Sequence, residues 1–143
     1  MLEPGLKHSL SLPVTHAQTV PALSQSLQGF ADMPPVFATA FMVGFIEWAC
    51  IEALHPHLPD DAITLGTHVD VSHCAPTPVG LTVTAHVELL SVEGRCLRFR
   101  VSCRDDFHLI GEGFHERHIV DRHAFAARID AKRNRRASAV AHS

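Results

Sequence analysis

Met33–Ile51 reads M-P-P-V-F-A-T-A-F-M-V-G-F-I-E-W-A-C-I, and Glu47 is its only charged side chain. Val43 and Gly44 precede it by one turn, and Cys50 and Ile51 follow by one turn, so apolar groups surround it at every helical offset. A carboxylate desolvated without a partner costs several kcal/mol, enough to unfold a marginal domain. Glu47 must therefore be held by a partner, and groups so placed are candidates for chemistry. Pro34 and Pro35 exclude a helix upstream of them, and H-P-H-L-P at 55–59 stops one downstream, so the spacing predicts a helix over about 37–55. Glu47, Glu52 and Gly44 argue against a membrane span, and a central helix wrapped by protein accounts for the same composition.

Around this helix the pattern changes. Leu6, His8, Leu10 and Leu12 alternate with polar residues and predict a strand ending near Pro13. Residues 15–35, mixing Gln, Ser, Gly and Pro, predict a loop with short helical turns. Four segments of period two follow, at about 63–74, 80–90, 96–103 and 108–120. The turns at A-P-T-P (75–78), V-E-G (92–94) and Asp105-Asp106 make the last three antiparallel neighbours. An amphipathic helix is expected over about 122–132, carrying Phe125, Ala126 and Ile129 on one side. Residues 132–143, basic and then small and polar, are expected to be a disordered tail beyond a single domain of residues 1–131. A strand, a long apolar helix and four antiparallel strands give an α+β layer, a curved sheet wrapped around one helix. That is the hot-dog architecture, whose free edge strands are expected to pair in a homodimer.

The chain has 143 residues, enough for one well-cored domain, and its net charge of -3 implies no attraction to nucleic acid. The four cysteines lack C-x-x-C spacing; three read as buried small hydrophobes, and the set implies reduced thiols in a cytoplasmic protein. The opening M-L-E-P-G-L-K-H-S-L does not place an apolar core behind a positive start, so no secretory leader is expected.

His73 is the best partner candidate for Glu47, since Thr67, Val69, Val71 and His73 share a strand face that would cover the helix. A satisfied structural histidine at a strand end is the competing reading. Thr39 lies eight residues before Glu47, about 12 Å along the axis, so the two can border one channel without touching; a first-turn hydroxyl serving local backbone is its simpler role. Gly66 either lets a ligand approach the strand or marks a bulge. Arg117 pairs with Glu116 or another acid, or reaches an anionic ligand. His55 and His57 sit in a loop, and His115 and His118 fall on opposite faces of a strand, so no closed metal-ligand set is expected.

Taken together, V-F-A-T-A-F-M-V-G-F-I-E-W-A-C (36–50), L-G-T-H-V-D-V-S-H (65–73), P-V-G-L-T-V-T (78–84), S-V-E-G-R (91–95) and G-F-H-E-R (113–117) resemble the fluoroacetyl-CoA thioesterase family of hot-dog enzymes. The resemblance runs from about Leu6 to Ala131. It implies hydrolysis of a small acyl-CoA, with Thr39, Glu47 and His73 as the catalytic set, Gly66 near the reacting carbonyl and Arg117 near the acyl pocket. It also implies an active site at a dimer interface, and no cofactor beyond the coenzyme A of the substrate. The family's aromatic gate residue stands here as Met33, an upstream aromatic of the same lid as Phe30, and Phe114 replaces a smaller residue near the expected pocket. Two other functions fit the same fold: a hot-dog enoyl-CoA hydratase or dehydratase, and a non-catalytic acyl-CoA binding domain.

Overall fold

The computed structural model describes residues 2–141, the side chains of 140 and 141 excepted. Strand β1 (Lys7–Pro13) is followed by three short 3-10 turns at His16–Gln18, Val20–Gln25 and Gln28–Phe30, then helix α1 (Thr39–Leu54). Strands β2 (Ala62–Val71), β3 (Thr82–Glu93), β4 (Cys96–Arg104) and β5 (Leu109–Asp121) come next, and helix α2 (Arg122–Ala141) closes the chain. All strand pairs are antiparallel, in the order β1-β3-β4-β5-β2. This is the expected curved sheet with a central helix, and it leaves β1 and β2 as edges.

Period two does the sorting. On β3 and β4 the odd-numbered Val83, Ala85, Val87, Leu89, Leu97, Phe99, Val101 and Cys103 are buried under α1, while their even-numbered neighbours face away. From the helix, Met42, Phe45, Ile46, Ala49, Cys50 and Ala53 complete one apolar core. Each large side chain buried here contributes roughly 1.5–3 kcal/mol. The cover is one-sided, however. Ala40, Gly44, Trp48 and Ile51 form an exposed stripe along α1, with Trp48 45% and Ile51 42% exposed. The expectation that the sheet of one chain explains an all-round apolar helix is thus corrected, since one apolar face remains open.

Two further expectations change. The last helix does not stop near Lys132: α2 continues to Ala141, so the tail expected to be disordered is helical as far as it is described, with 142 and 143 lying outside the described residues. Its Ala, Arg and Lys residues are good helix formers, and neither Gly nor Pro interrupts them. Of three cysteines expected inside, two are buried, Cys50 and Cys103; Cys74 and Cys96 are exposed, and all four thiols are free. No described helix is long and apolar enough to cross a membrane.

Candidate active site

The start of α1 is tied down before its first turn. Ala38 donates its N–H to Gln18 O (2.9 Å), Phe37 donates to Thr77 O (2.8 Å), and Val36 bridges Pro78. These bonds place Thr39, the first helical residue, against the segment that leaves β2. That segment still follows β5, because Ser72 N–H bonds Glu112 O and Cys74 N–H bonds Ile110 O. His73 lies between these two anchors, edge-on to buried Phe37 at 6.4 Å. The result is a short contact, Thr39 Oγ1 to His73 Nδ1 at 2.7 Å.

His73 Nε2 is buried and has no hydrogen-bond partner among the described residues. A buried N–H without an acceptor is rarer and costlier than an idle lone pair, so the ring's proton belongs on Nδ1. Nδ1–H then donates to Thr39 Oγ1, which leaves the hydroxyl hydrogen free for another acceptor. Burial lowers the His73 pKa below its ordinary 6.5, which favours this neutral ring.

Glu47 has a different partner from the one expected. Its Oε2 accepts from Arg117 Nη1 at 2.8 Å, and His73 is engaged with Thr39 instead. Arg117 is 3% exposed, and Thr64 holds the rest of its guanidinium: Nε donates to Thr64 Oγ1 (2.9 Å) and Nη2 to Thr64 O (2.8 Å). Among the described residues Glu47 Oε1 makes no hydrogen bond. Arg117 therefore meets an acid, as one reading allowed, but that acid is Glu47; Glu116 pairs with Arg98 at 3.3 Å.

Gly66 is the reason the pair fits. A Cβ at this position would lie 2.6 Å from Glu47 Oε2 and 3.3 Å from Arg117 Nη1, so only glycine leaves room for the carboxylate. The β2–β5 register also shifts between Gly66 and His68, in line with the bulge reading. Between the two polar ends, a tight crevice lined by Val43, Ile46, Glu47, Val69, Val71 and His115 is too narrow as it stands for a water-sized molecule. Thr39, Val43 and Glu47, spaced by four, follow the helical side of this seam between α1 and β2.

Phe30 and Met33 belong to the strap that leads into α1, joined by Met33 N–H to Phe30 O at 3.2 Å. Phe30 is half-buried and Met33 48% exposed. Phe114 is not brought to the seam. It lies on the sheet face away from α1, with the Arg98 guanidinium 4.5 Å above its ring, because even-numbered positions of β5 point outward there. His115, placed earlier only in a weak histidine pair, is instead 1% exposed and touches Arg117. The signal was present in the alternation: residues 115 and 117 share the inward face of β5.

A sheet curved over one helix is shared with solved hot-dog proteins. A Thermus thermophilus member of the thioesterase superfamily superposes with a TM-score of 0.86 at 24% identity, covering 95% of this chain and 96% of that one. At that identity the likeness speaks for the fold. The family model described as fluoroacetyl-CoA-specific thioesterase matches residues 14–123, and the chain belongs to that family. A fluoroacetyl-CoA thioesterase from Streptantibioticus cattleyicolor is 48% identical over 115 residues, 80% of this chain and 83% of the relative. The structure of the fluoroacetyl-CoA thioesterase FlK superposes with a TM-score of 0.89 at 43% identity, covering 92% of this chain and 98% of that one. A variant of FlK has also been solved in complex with fluoroacetate and CoA; it superposes with a TM-score of 0.84 at 44% identity, covering 87% and 99%.

Proposed function

We propose that this protein hydrolyses the thioester of small acyl-CoA molecules, with Thr39, His73 and Glu47 acting from the seam between α1 and β2. The observation that carries the reading is the 2.7 Å Thr39–His73 contact on the same seam as a carboxylate clamped by Arg117. The thioester carbonyl lies between the two ends. Glu47, oriented through Oε2, takes a proton from water at Oε1 as the water oxygen bonds to the carbonyl carbon. Charge grows on the carbonyl oxygen, and the Thr39 hydroxyl, itself accepting from His73 Nδ1–H, donates to it. The intermediate collapses with cleavage of the carbon–sulfur bond, and the proton held by Glu47 passes to the coenzyme A sulfur. Free acid and thiol leave. These steps need water and side chains, so we assign no cofactor beyond the coenzyme A of the substrate.

A homodimer with the site at its interface is part of the same reading. Three features support it: β2 has a free edge with Val69 44% exposed, the adjoining stripe of α1 is apolar and open, and the seam lies between them. Four free thiols support a reducing, cytoplasmic setting. For the acyl group, a flexible methionine on the strap favours small chains without a strict demand for fluorine. The test is thiol release from a panel of acetyl-, fluoroacetyl-, longer and aromatic acyl-CoAs, with His73→Ala alongside. We expect turnover of the small members and a loss of about 10²–10⁴-fold in kcat in the variant. Binding seen as thermal stabilisation by every acyl-CoA, with no thiol released from any, would show an acyl-CoA binding domain instead.

A further inference from the structure

We propose that His115 is a positioning residue for Glu47, acting through Arg117. The proposal rests on Glu47 serving the hydrolysis described above. His115 and Arg117 are two residues apart on β5, both turned inward, 1% and 3% exposed. His115 Nδ1 lies 2.8 Å from His68 O at the β2 bulge. A carbonyl can only accept, so Nδ1 carries the hydrogen and Nε2 of the neutral ring keeps its lone pair. Arg117 Nη1, which can only donate, sits 3.1 Å from that lone pair. The second hydrogen of the same Nη1 goes to Glu47 Oε2 at 2.8 Å.

The chain of contacts is directional: His68 carbonyl, His115 ring, Arg117 Nη1, Glu47 carboxylate. Thr64 holds the other end of the planar guanidinium, and His115, accepting the second hydrogen of Nη1, anchors this end of the plane and so the direction of the hydrogen that reaches Glu47. Gly66 closes the arrangement, since a Cβ there would meet both His115 Cε1 (3.2 Å) and Glu47 Oε2 (2.6 Å). Protonation would place an Nε2–H against the Nη1–H and a second positive charge 3.1 Å from the first. The contact therefore exists only with a neutral ring. The charged groups facing the ring are Arg117 on β5 and Glu47 on α1, while Glu116, on the outer face of β5, acts on it only at a distance. The Cys50 thiol, also on α1 and within the field of Arg117 and Glu47, is pushed up to about 12 by burial and stays neutral. Burial also holds His115 below the ordinary histidine value, Arg117 adding to that, while its bond to His68 and the two glutamates pull the other way.

Two substitutions separate this role from a purely structural one. His115→Asn can still donate to His68 O but offers no acceptor where Nε2 stood. His115→Gln puts an amide oxygen near the Nε2 position and gives up the bond to His68. We expect His115→Asn to lower kcat about tenfold or more with KM within about twofold, and His115→Gln to lose less than about threefold. The acidic limb of the kcat–pH profile should reflect one protonation fewer in His115→Gln than in the wild type. Equal or greater kcat for Asn than for Gln overturns the proposal, because it makes the His68 bond the important one. Glu47→Gln, measured in the same assay, is the separate control: undiminished thiol release there removes the role of Glu47 itself, whatever the His115 variants do.

Discussion

The two long sides of α1 obey different rules. One side, Met42, Phe45, Ile46, Ala49 and Ala53, is packed against β3 and β4 and contains only carbon, sulfur and satisfied backbone. The other, Thr39, Val43 and Glu47, borders the seam with β2, where Thr39 Oγ1 and Glu47 Oε2 are each held by a residue distant in sequence. Thr39 is 34 residues from His73, and Glu47 is 70 residues from Arg117. The packed side tolerates exchange of one hydrophobe for another of equal volume. The seam side depends on direction, because a hydroxyl or carboxylate rotated away from its partner loses its hydrogen bond. On the proposed function, stability and chemistry are carried by different, adjoining faces of one helix.

The largest effect that should separate the two faces is in the core. Phe99→Ala, beneath α1 and fully buried, should cost about 3–5 kcal/mol in denaturant unfolding. Its remaining folded fraction should hydrolyse substrate with a kcat close to the wild type. A kcat that collapses along with stability would mean the faces are not independent. Glu47→Gln tests the other side. It should lower kcat by about 10²-fold or more. It should also destabilise by only about 1–3 kcal/mol, less than a fully buried pair, because the Glu47 side chain is 36% exposed although Arg117 is not. Near-normal turnover would break the assignment, and a loss of stability matching that of Phe99→Ala would merge the two faces.

The smallest effect sharpens the contrast through pH. Burial lowers the pKa of both His73 and His115 from 6.5. The unfolded chain then binds more protons than the folded one once pH falls below about 6.5. The stability these neutral rings contribute is present above that value and is lost as pH falls toward their folded pKa values. Melting temperature should thus decline between about pH 7 and pH 5, with a shallower slope in His115→Gln; an identical slope in that variant would remove His115 as a contributor.

Much of this was legible without coordinates. Alternation in the four later segments requires strands, since period two is the only way to turn Val83, Ala85 and Val87 to one side. The apolar run with prolines at one end and H-P-H at the other requires a helix of this length. Glu47 stands out as a candidate for the same reason, a charge without local compensation. Motif likeness extended this to Thr39, His73, Gly66 and Arg117, all of which lie along or beside one seam. The resemblance put Phe114 near the pocket, whereas its side chain lies on the outer sheet face, because a residue near a motif in sequence need not share its face. It also passed over His115, whose importance lies in two contacts made across strands.

The sequence by itself determined the elements, their order and the existence of a carboxylate in need of a distant partner, since periodicity and burial cost are properties of neighbours along the chain. Which groups pair was decided by tertiary structure alone. Hydrogen bonds of 2.7–2.8 Å between residues 34 and 70 positions apart depend on a bulge at Gly66, a tethered helix start and the inward face of β5. No window along the chain contains that information, and so Glu47 belongs to Arg117 and His73 to Thr39.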